Sequence, residues 1–192
     1  IDANITTGGG AFTATGASSF DSQGVTISTE GTSSAGGVIS ITTHTGDLII
    51  GASISDGAAS GFSGLSAGAV TLVSAGGLSV TDVMSATGGS SLFAGLGGDV
   101  SLTGSTGIVL SGSIDTAGGS GLSVRSGGNV IFNNDVVWDF DLSVTTGADG
   151  GDITFAGALD SKASQARNVT LTAGTGNINF DGAGGNTDAL GD

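Results

Sequence analysis

Residues Gly127 to Phe132, GGNVIF, are the unit that the rest of the chain rewrites. A glycine pair, an Asp or Asn, and two apolar residues flanking a variable one recur at Gly97 to Leu102 (GGDVSL), at Gly150 to Phe155 (GGDITF) and, as a Gly-x-Gly variant, at Gly174 to Phe180 (GTGNINF). Looser copies stand at Gly36 to Ile41 (GGVISI) and Ala67 to Leu72 (AGAVTL). The last apolar residues of these units, Ile41, Leu72, Leu102, Phe132, Phe155 and Phe180, lie 31, 30, 30, 23 and 25 residues apart. Self-similarity at that period marks a solenoid, whose repeats bury their apolar faces against one another. The pattern predicts an all-β protein, a parallel β-helix of about 20–31 residues per coil and roughly seven coils. Right-handed coiling is the default for parallel crossovers.

Outward from this unit, a thirty-residue frame holds from Gly46 to Phe140. Leu48, Leu78, Ile108 and Trp138 form one apolar series, and Ile50, Val80, Leu110 and Phe140 a second. Ile54, Met84, Ile114 and Val144 form a third, and Phe62, Leu92 and Leu122 a fourth. Residues one coil apart stack about 4.8 Å from each other, so each series predicts a column of side chains inside the tube. Alternation along each strand then sends the intervening Ser, Thr and Asp outward. The joints Ser85 to Gly89 (SATGG) and Asp115 to Gly119 (DTAGG) predict corners where no bulky Cβ fits.

Beyond Leu122 the coils shorten. Leu122-Ser-Val124, Leu142-Ser-Val144 and Val169-Thr-Leu171 read as one strand position, which puts Val144 in two registers at once. The next position carries Val130-x-Phe132, Ile153-x-Phe155 and Ile178-x-Phe180, and predicts a ladder of three stacked rings, Phe132, Phe155 and Phe180. At the other end, Ile1 to Glu30 reads as one or two strands with long turns, one of them at Gly8 to Gly10. Residues 1–192 thus form a single β-helix segment, with less regular first coils over 1–35, thirty-residue coils over 36–140 and shorter coils over 141–192. Starting and ending in mid-repeat, it reads as a piece of a larger repeat protein. Its expected partners are neighbouring repeats of the same parent chain, or other copies end to end, because the end coils of a solenoid are open edges.

Composition narrows the function classes. With 39 Gly among 192 residues, collagen or disorder would be the first expectation, but Pro is absent, no Gly-x-y period exists, and the apolar residues are patterned. Seventeen acidic against three basic residues, a formal charge of −14, oppose nucleic acid or an anionic membrane as partner. No apolar run approaches the roughly 18–20 residues of a membrane span. Cysteine is absent, and Ile1 to Asn4 shows neither the basic start nor the apolar block of a signal peptide.

Candidate chemistry is sparse. His44, the only histidine, sits in the turn Thr42 to Gly46 with no Cys or serine elbow to serve, and reads as a surface turn. Asp135, Asp139 and Asp141 crowd the stretch NNDVVWDFDL and are the candidate Ca²⁺ ligands, since that ion takes hard oxygens. As a carboxylate dyad they would serve a glycosidase. Asp99, Asn129, Asp152 and Asn177 recur at one repeat position, but the tandem G-G-x-G-x-D of calcium-binding rolls is missing. They read as local turn closers, or as a stacked Asn/Asp ladder. Trp138 reads as core rather than as a sugar platform. Asn4-Ile5-Thr6 and Asn168-Val169-Thr170 match a glycosylation pattern. The rows Thr42-Thr43, Thr145-Thr146 and Thr170-x-Thr172 raise an ice-binding face, in a patchy form. Arg125, Lys162 and Arg167 form no sequence cluster such as a polysaccharide lyase would need.

GGDVSLTGSTGIVLSGSIDTAGG (Gly97 to Gly119) and RNVTLTAGTGNINFDGA (Arg167 to Ala183) resemble the repeats of filamentous haemagglutinin-like bacterial exoproteins, very large surface adhesins with parallel β-helix shafts. The likeness covers most of Gly36 to Ala183. It implies a structural segment of a secreted or cell-surface fibrous adhesin, acting as a rigid shaft. The family's secretion domain carries Asn-Pro motifs, and a chain without Pro would be shaft rather than secretion head. The alternatives are a self-assembling subunit of an extracellular filament and a carbohydrate-binding module for host or matrix glycans. No enzyme is expected, and no cofactor beyond Ca²⁺.

Overall fold

The computed structural model describes residues 1–16, 18–57, 59–60, 62–162 and 167–184. Short apolar-x-apolar triplets separated by Gly-rich joints give short strands, and three faces of parallel sheet result. The first face stacks Ile5–Thr6, Thr26–Ser28, Ala52–Ile54, Met84–Ser85, Ile114–Asp115, Leu142–Thr145 and Val169–Thr172. The second stacks Phe12–Gly16, Ile39–Thr43, Val70–Ser74, Val100–Gly104, Val130–Phe132, Ile153–Phe155 and Ile178–Phe180. The third stacks Phe20–Asp21, Leu48–Ile50, Leu78–Val80, Ile108–Leu110, Val136–Trp138 and Leu159–Ser161.

The chain visits the faces in turn, and each strand pairs in parallel with its counterpart one coil on, as in Val70↔Val100, Leu78↔Ile108 and Ile114↔Val144. This is a parallel β-solenoid of about six turns, and a rise of about 4.8 Å per coil makes it roughly 30 Å long. The opening residues are more regular than their sequence suggests. Phe12 pairs with Ile39, Phe20 with Leu48 and Thr26 with Ala52, so the first coil already has all three faces. Gly8 and Gly9 turn the chain there with φ of 63° and 94°.

The core is a set of columns. Leu48, Leu78, Ile108, Val136 and Leu159 make one, and Ile50, Val80, Leu110 and Trp138 its neighbour, all buried. Here the thirty-residue frame breaks. Trp138 stacks on Leu110, not on Ile108, and Phe140 lies exposed beyond the strand. The link between the second and third faces loses two residues: six positions separate Leu102 from Ile108, but only four separate their partners Phe132 and Val136. A loss of two preserves the period-2 alternation, so Val136 and Trp138 still point inward while the register shifts.

A one-residue shift has a different result. Met84 pairs with Ser53 and not with Ile54, which pairs with Ser85 and whose side chain lies outside the described residues. The buried Ser53 hydroxyl therefore enters the third column without a hydrogen-bond partner. Val144 has one register, between Ile114 and Leu171, while Leu122 and Val124 belong to no strand and are exposed.

Coil length is set between the first and second faces. This joint spans 55–69, 86–99 and 116–129 in the thirty-residue coils but only 146–152 and 173–177 later. Four joints, including the one that follows Ser28, are closed at their base by a buried hydroxyl: Thr29, Ser55, Thr116 and Thr146 donate to the carbonyls of Gly37, Gly68, Gly128 and Gly151 at 2.5, 2.7, 2.7 and 2.8 Å, while buried Ala86 and Ala173 take that place in the joints 86–99 and 173–177. In three of these joints the glycine N–H returns a bond to the hydroxyl residue's carbonyl, Gly37 to Thr29, Gly68 to Ser55 and Gly128 to Thr116. The reciprocal pair holds the two faces at a fixed angle whatever the loop beyond contains.

Candidate functional site

The recurring Asp and Asn residues are the first feature the structure reassigns. Asp99 Oδ1 accepts the N–H of Asn129, Asn129 Oδ1 that of Asp152, and Asp152 Oδ1 that of Asn177, at 2.7, 2.8 and 2.7 Å. These bonds run from coil to coil, as in the stacked Asn/Asp ladder, and are not local turn closures. The same device serves the other two corners. Asp47 accepts from Gly77 and Asp135 from Ala158 before the third face; Asn4 accepts from Thr26 and Asp141 from Asn168 before the first. Each acceptor immediately precedes a strand, where the backbone turns and its N–H would otherwise leave the ladder. Both glycosylation-pattern asparagines, Asn4 and Asn168, are members of these corners.

A carboxylate to backbone N–H bond at an exposed corner contributes about 0.5–1.5 kcal/mol, since water replaces part of it when it is lost. Asp152→Ala removes the acceptor for both the N–H and the Nδ2 of Asn177. It is expected to lower stability by about 1 kcal/mol in urea unfolding, and Asp152→Asn by less than half of that.

Asp135, Asp139 and Asp141 are engaged separately. Asp135 bonds Ala158, Asp139 accepts from Ser111 Oγ at 2.6 Å and meets Lys162 Nζ at 3.4 Å, and Asp141 bonds Asn168. Among the described residues no group of three His, Cys, Asp or Glu side chains stands where it would hold a metal ion. With −14 charges spread one by one, screening is the main cation effect to expect. Ca²⁺ and Na⁺ at matched ionic strength should raise the Tm equally. A larger rise in Ca²⁺ would point to a cation site at 135–141.

Other residues fall as follows. His44 is exposed in its turn. Trp138 is fully buried and offers no platform to a sugar. Phe140, instead, is exposed with the Arg167 guanidinium 5.8 Å from its ring centroid. Phe132 and Phe155 stack at 4.6 Å with an 11° interplanar angle, and Phe155 and Phe180 at 5.2 Å and 6°. The double threonines split across the sheet: Thr43 and Thr146 are buried, leaving only Thr42 and Thr145 facing out. On the second face the outward column Thr13, Ser40, Thr71, Ser101 runs on to Ile131, and the column Thr15, Thr42 and Thr103 is interrupted by Val73. The hydroxyl array on this face is thus broken at Ile131 and Val73 and resumes only at Thr154, which pairs with Ile131.

Two surface features were not legible in the sequence. The third face carries a groove of about 530 Å³ floored by Ile49, Ser79, Val109 and Val137, with Asp47 and Asp135 at its ends. It exists because the corner column reads Asp47, Gly77, Gly107, Asp135, and the two glycines leave the space that side chains would fill. Three coils separate the carboxylates, about 14 Å. Glycosidase pairs stand about 5–9.5 Å apart, so this pair lacks that geometry.

The second feature is the fate of the fourth apolar series. Phe62, Leu92 and Leu122 are exposed, on the outer turns of the three long joints, with Phe93, Leu96 and Val124 beside them. The strands of the solenoid do not include them; Ser63–Gly64 pairs with Ala59–Ser60 in a two-residue antiparallel ladder of its own. Together they form an apolar ridge parallel to the solenoid axis.

No family model, curated protein or solved structure matches this chain.

Proposed function

We propose that the chain is a rigid shaft segment of a large secreted or cell-surface bacterial fibrous protein, built to extend or present an adhesive region. The observation that carries this is the continuity of coil-to-coil bonding. Three parallel faces and the internal columns link coil to coil, and the corner Asp and Asn bonds add to them at most of the steps. A load along the axis is shared by every one of these rows, and bending requires opening one face while compressing the apolar stack of the others. The resemblance of residues 97–119 and 167–183 to haemagglutinin-like exoprotein repeats supports the adhesin context and the extracellular location.

A filament subunit is the second reading. It draws support from the last strand of the second face, where Ile178 and Phe180 are half exposed and a further coil or copy would cover them. Glycan binding has less support, since no aromatic side chain lines the third-face groove and Trp138 is buried.

Negative-stain electron microscopy of the purified protein at micromolar concentration separates the first two. Short rods with no growth along the axis are expected for a shaft segment. Long uniform fibres one solenoid wide would replace it by the filament subunit.

A further inference from the structure

We propose that the apolar ridge formed by Phe62, Leu92, Phe93, Leu96, Leu122 and Val124 is a lateral docking surface for a second copy of this chain. Its exposure is high for large apolar groups: Phe62 is 77 %, Phe93 53 % and Leu122 79 % accessible. Contiguous apolar exposure of this kind marks interaction sites on soluble proteins. The ridge is also preorganised. Phe93 N–H donates to the Phe62 carbonyl at 2.9 Å and Leu122 N–H to that of Leu92 at 3.1 Å. Behind them, Gly89 bonds Leu65 and Gly119 bonds Gly95, each at 2.9 Å. The described parts of the three joints, from Phe62, Leu92 and Leu122 onward, are thus bonded to one another as rungs.

Charge and spacing identify the occupant. The chain carries 17 acidic residues, yet none falls in the sequence around the ridge, 57–68, 87–98 and 117–128, whose one charge is Arg125. Two copies with −14 each repel across their acidic surfaces, and the ridge is where that repulsion is weakest and apolar burial greatest. A basic partner would be drawn to the acidic corners instead. An identical ridge also supplies rungs at the same spacing of about 4.8 Å, so the side chains of two ridges interdigitate along their length. A two-fold arrangement makes the contact isologous, with Phe62 of each copy facing Leu122 of the other and Leu92 nearest the axis. Three rungs are small beside the roughly 800 Å² per partner of a standard interface, so the pairing of single copies is weak and reversible.

Sedimentation equilibrium from micromolar to near-millimolar protein tests this. A reversible dimer is expected, strengthened by added NaCl as the repulsion is screened. The double variant Phe62→Ser, Leu122→Ser should weaken it at least about tenfold, while an unchanged Tm shows that the fold is intact. Val109→Ser in the third-face groove should leave the dimer as it is. Because the chain has no cysteine, Leu92→Cys introduces a single thiol. On addition of an oxidant it should form a disulfide-linked dimer much faster than Val109→Cys. A monomer at every concentration would overturn the proposal, as would a dimer that survives the ridge variant or yields to Val109→Ser. Binding to phosphatidylcholine vesicles without dimer formation would assign the ridge to a lipid surface, and overturn it as well.

Discussion

Phe155→Ala is expected to destabilise the protein by about 3–5 kcal/mol, the cost of emptying a buried phenylalanine site. The ring is fully buried and lies between two others, 4.6 Å from Phe132 and 5.2 Å from Phe180, in near-parallel planes. Removing it leaves a gap whose walls belong to three different coils. These are tied by backbone ladders, Val130↔Ile153 and Ile153↔Ile178 among them, and cannot close on the space. The same truncation at Phe180, already half exposed, should cost no more than about 1–2 kcal/mol. Urea unfolding of both variants is the measurement. A loss below about 0.5 kcal/mol for Phe155→Ala is surface behaviour and would refute the buried stack.

Gly98→Ala is expected to cost several kcal/mol, above the about 1–3 kcal/mol of ordinary overpacking. The second glycine of each repeat unit faces the glycine one coil back. A Cβ on Gly68 would overlap the Gly37 carbonyl, one on Gly98 that of Gly68, and one on Gly128 that of Gly98. None of these residues is in the left-handed region, so the reason for glycine is the close approach of successive coils and not a turn conformation. Flexible side chains can rotate out of a clash; a backbone carbonyl bonded into its own coil cannot. The alanine must therefore open the spacing of the coils or unpair the corner. Gly16→Ala is the control, because nothing lies within 4 Å of its Cβ position. It should be neutral or stabilising by up to about 1 kcal/mol through the unfolded chain. Equal effects at the two positions would remove close approach as the explanation.

The candidate surface shows where sequence periodicity stops being informative. Phe62, Leu92 and Leu122 repeat at thirty residues as faithfully as Leu48, Leu78 and Ile108. Both sets stack from coil to coil, yet one forms the core and the other the ridge. A period reports that residues lie above one another and is silent on whether the column faces inward. That depends on whether the segment is a strand with alternating sides or a joint folded outside the tube. The groove between Asp47 and Asp135 was hidden for a related reason: it is a space left by Gly77 and Gly107, and only the paired coils show that they are neighbours.

By itself the sequence determined the coil period, the parallel stacking, most strand positions of the thirty-residue coils and the ring stack of Phe132, Phe155 and Phe180. All follow from local alternation and from repeats lying in register, which need no knowledge of distant contacts. Only the tertiary structure decided that Trp138 sits over Leu110, that Phe140 and Leu122 are outside, and that Asp99, Asn129 and Asp152 form the coil-to-coil ladder and not local turn closures. Those outcomes depend on how many residues each joint consumes. A joint shortened by two keeps the inward face and one shortened by one reverses it. Which residues a joint leaves out is visible only in the pairing of one coil with the next, which exists only once the coils are stacked.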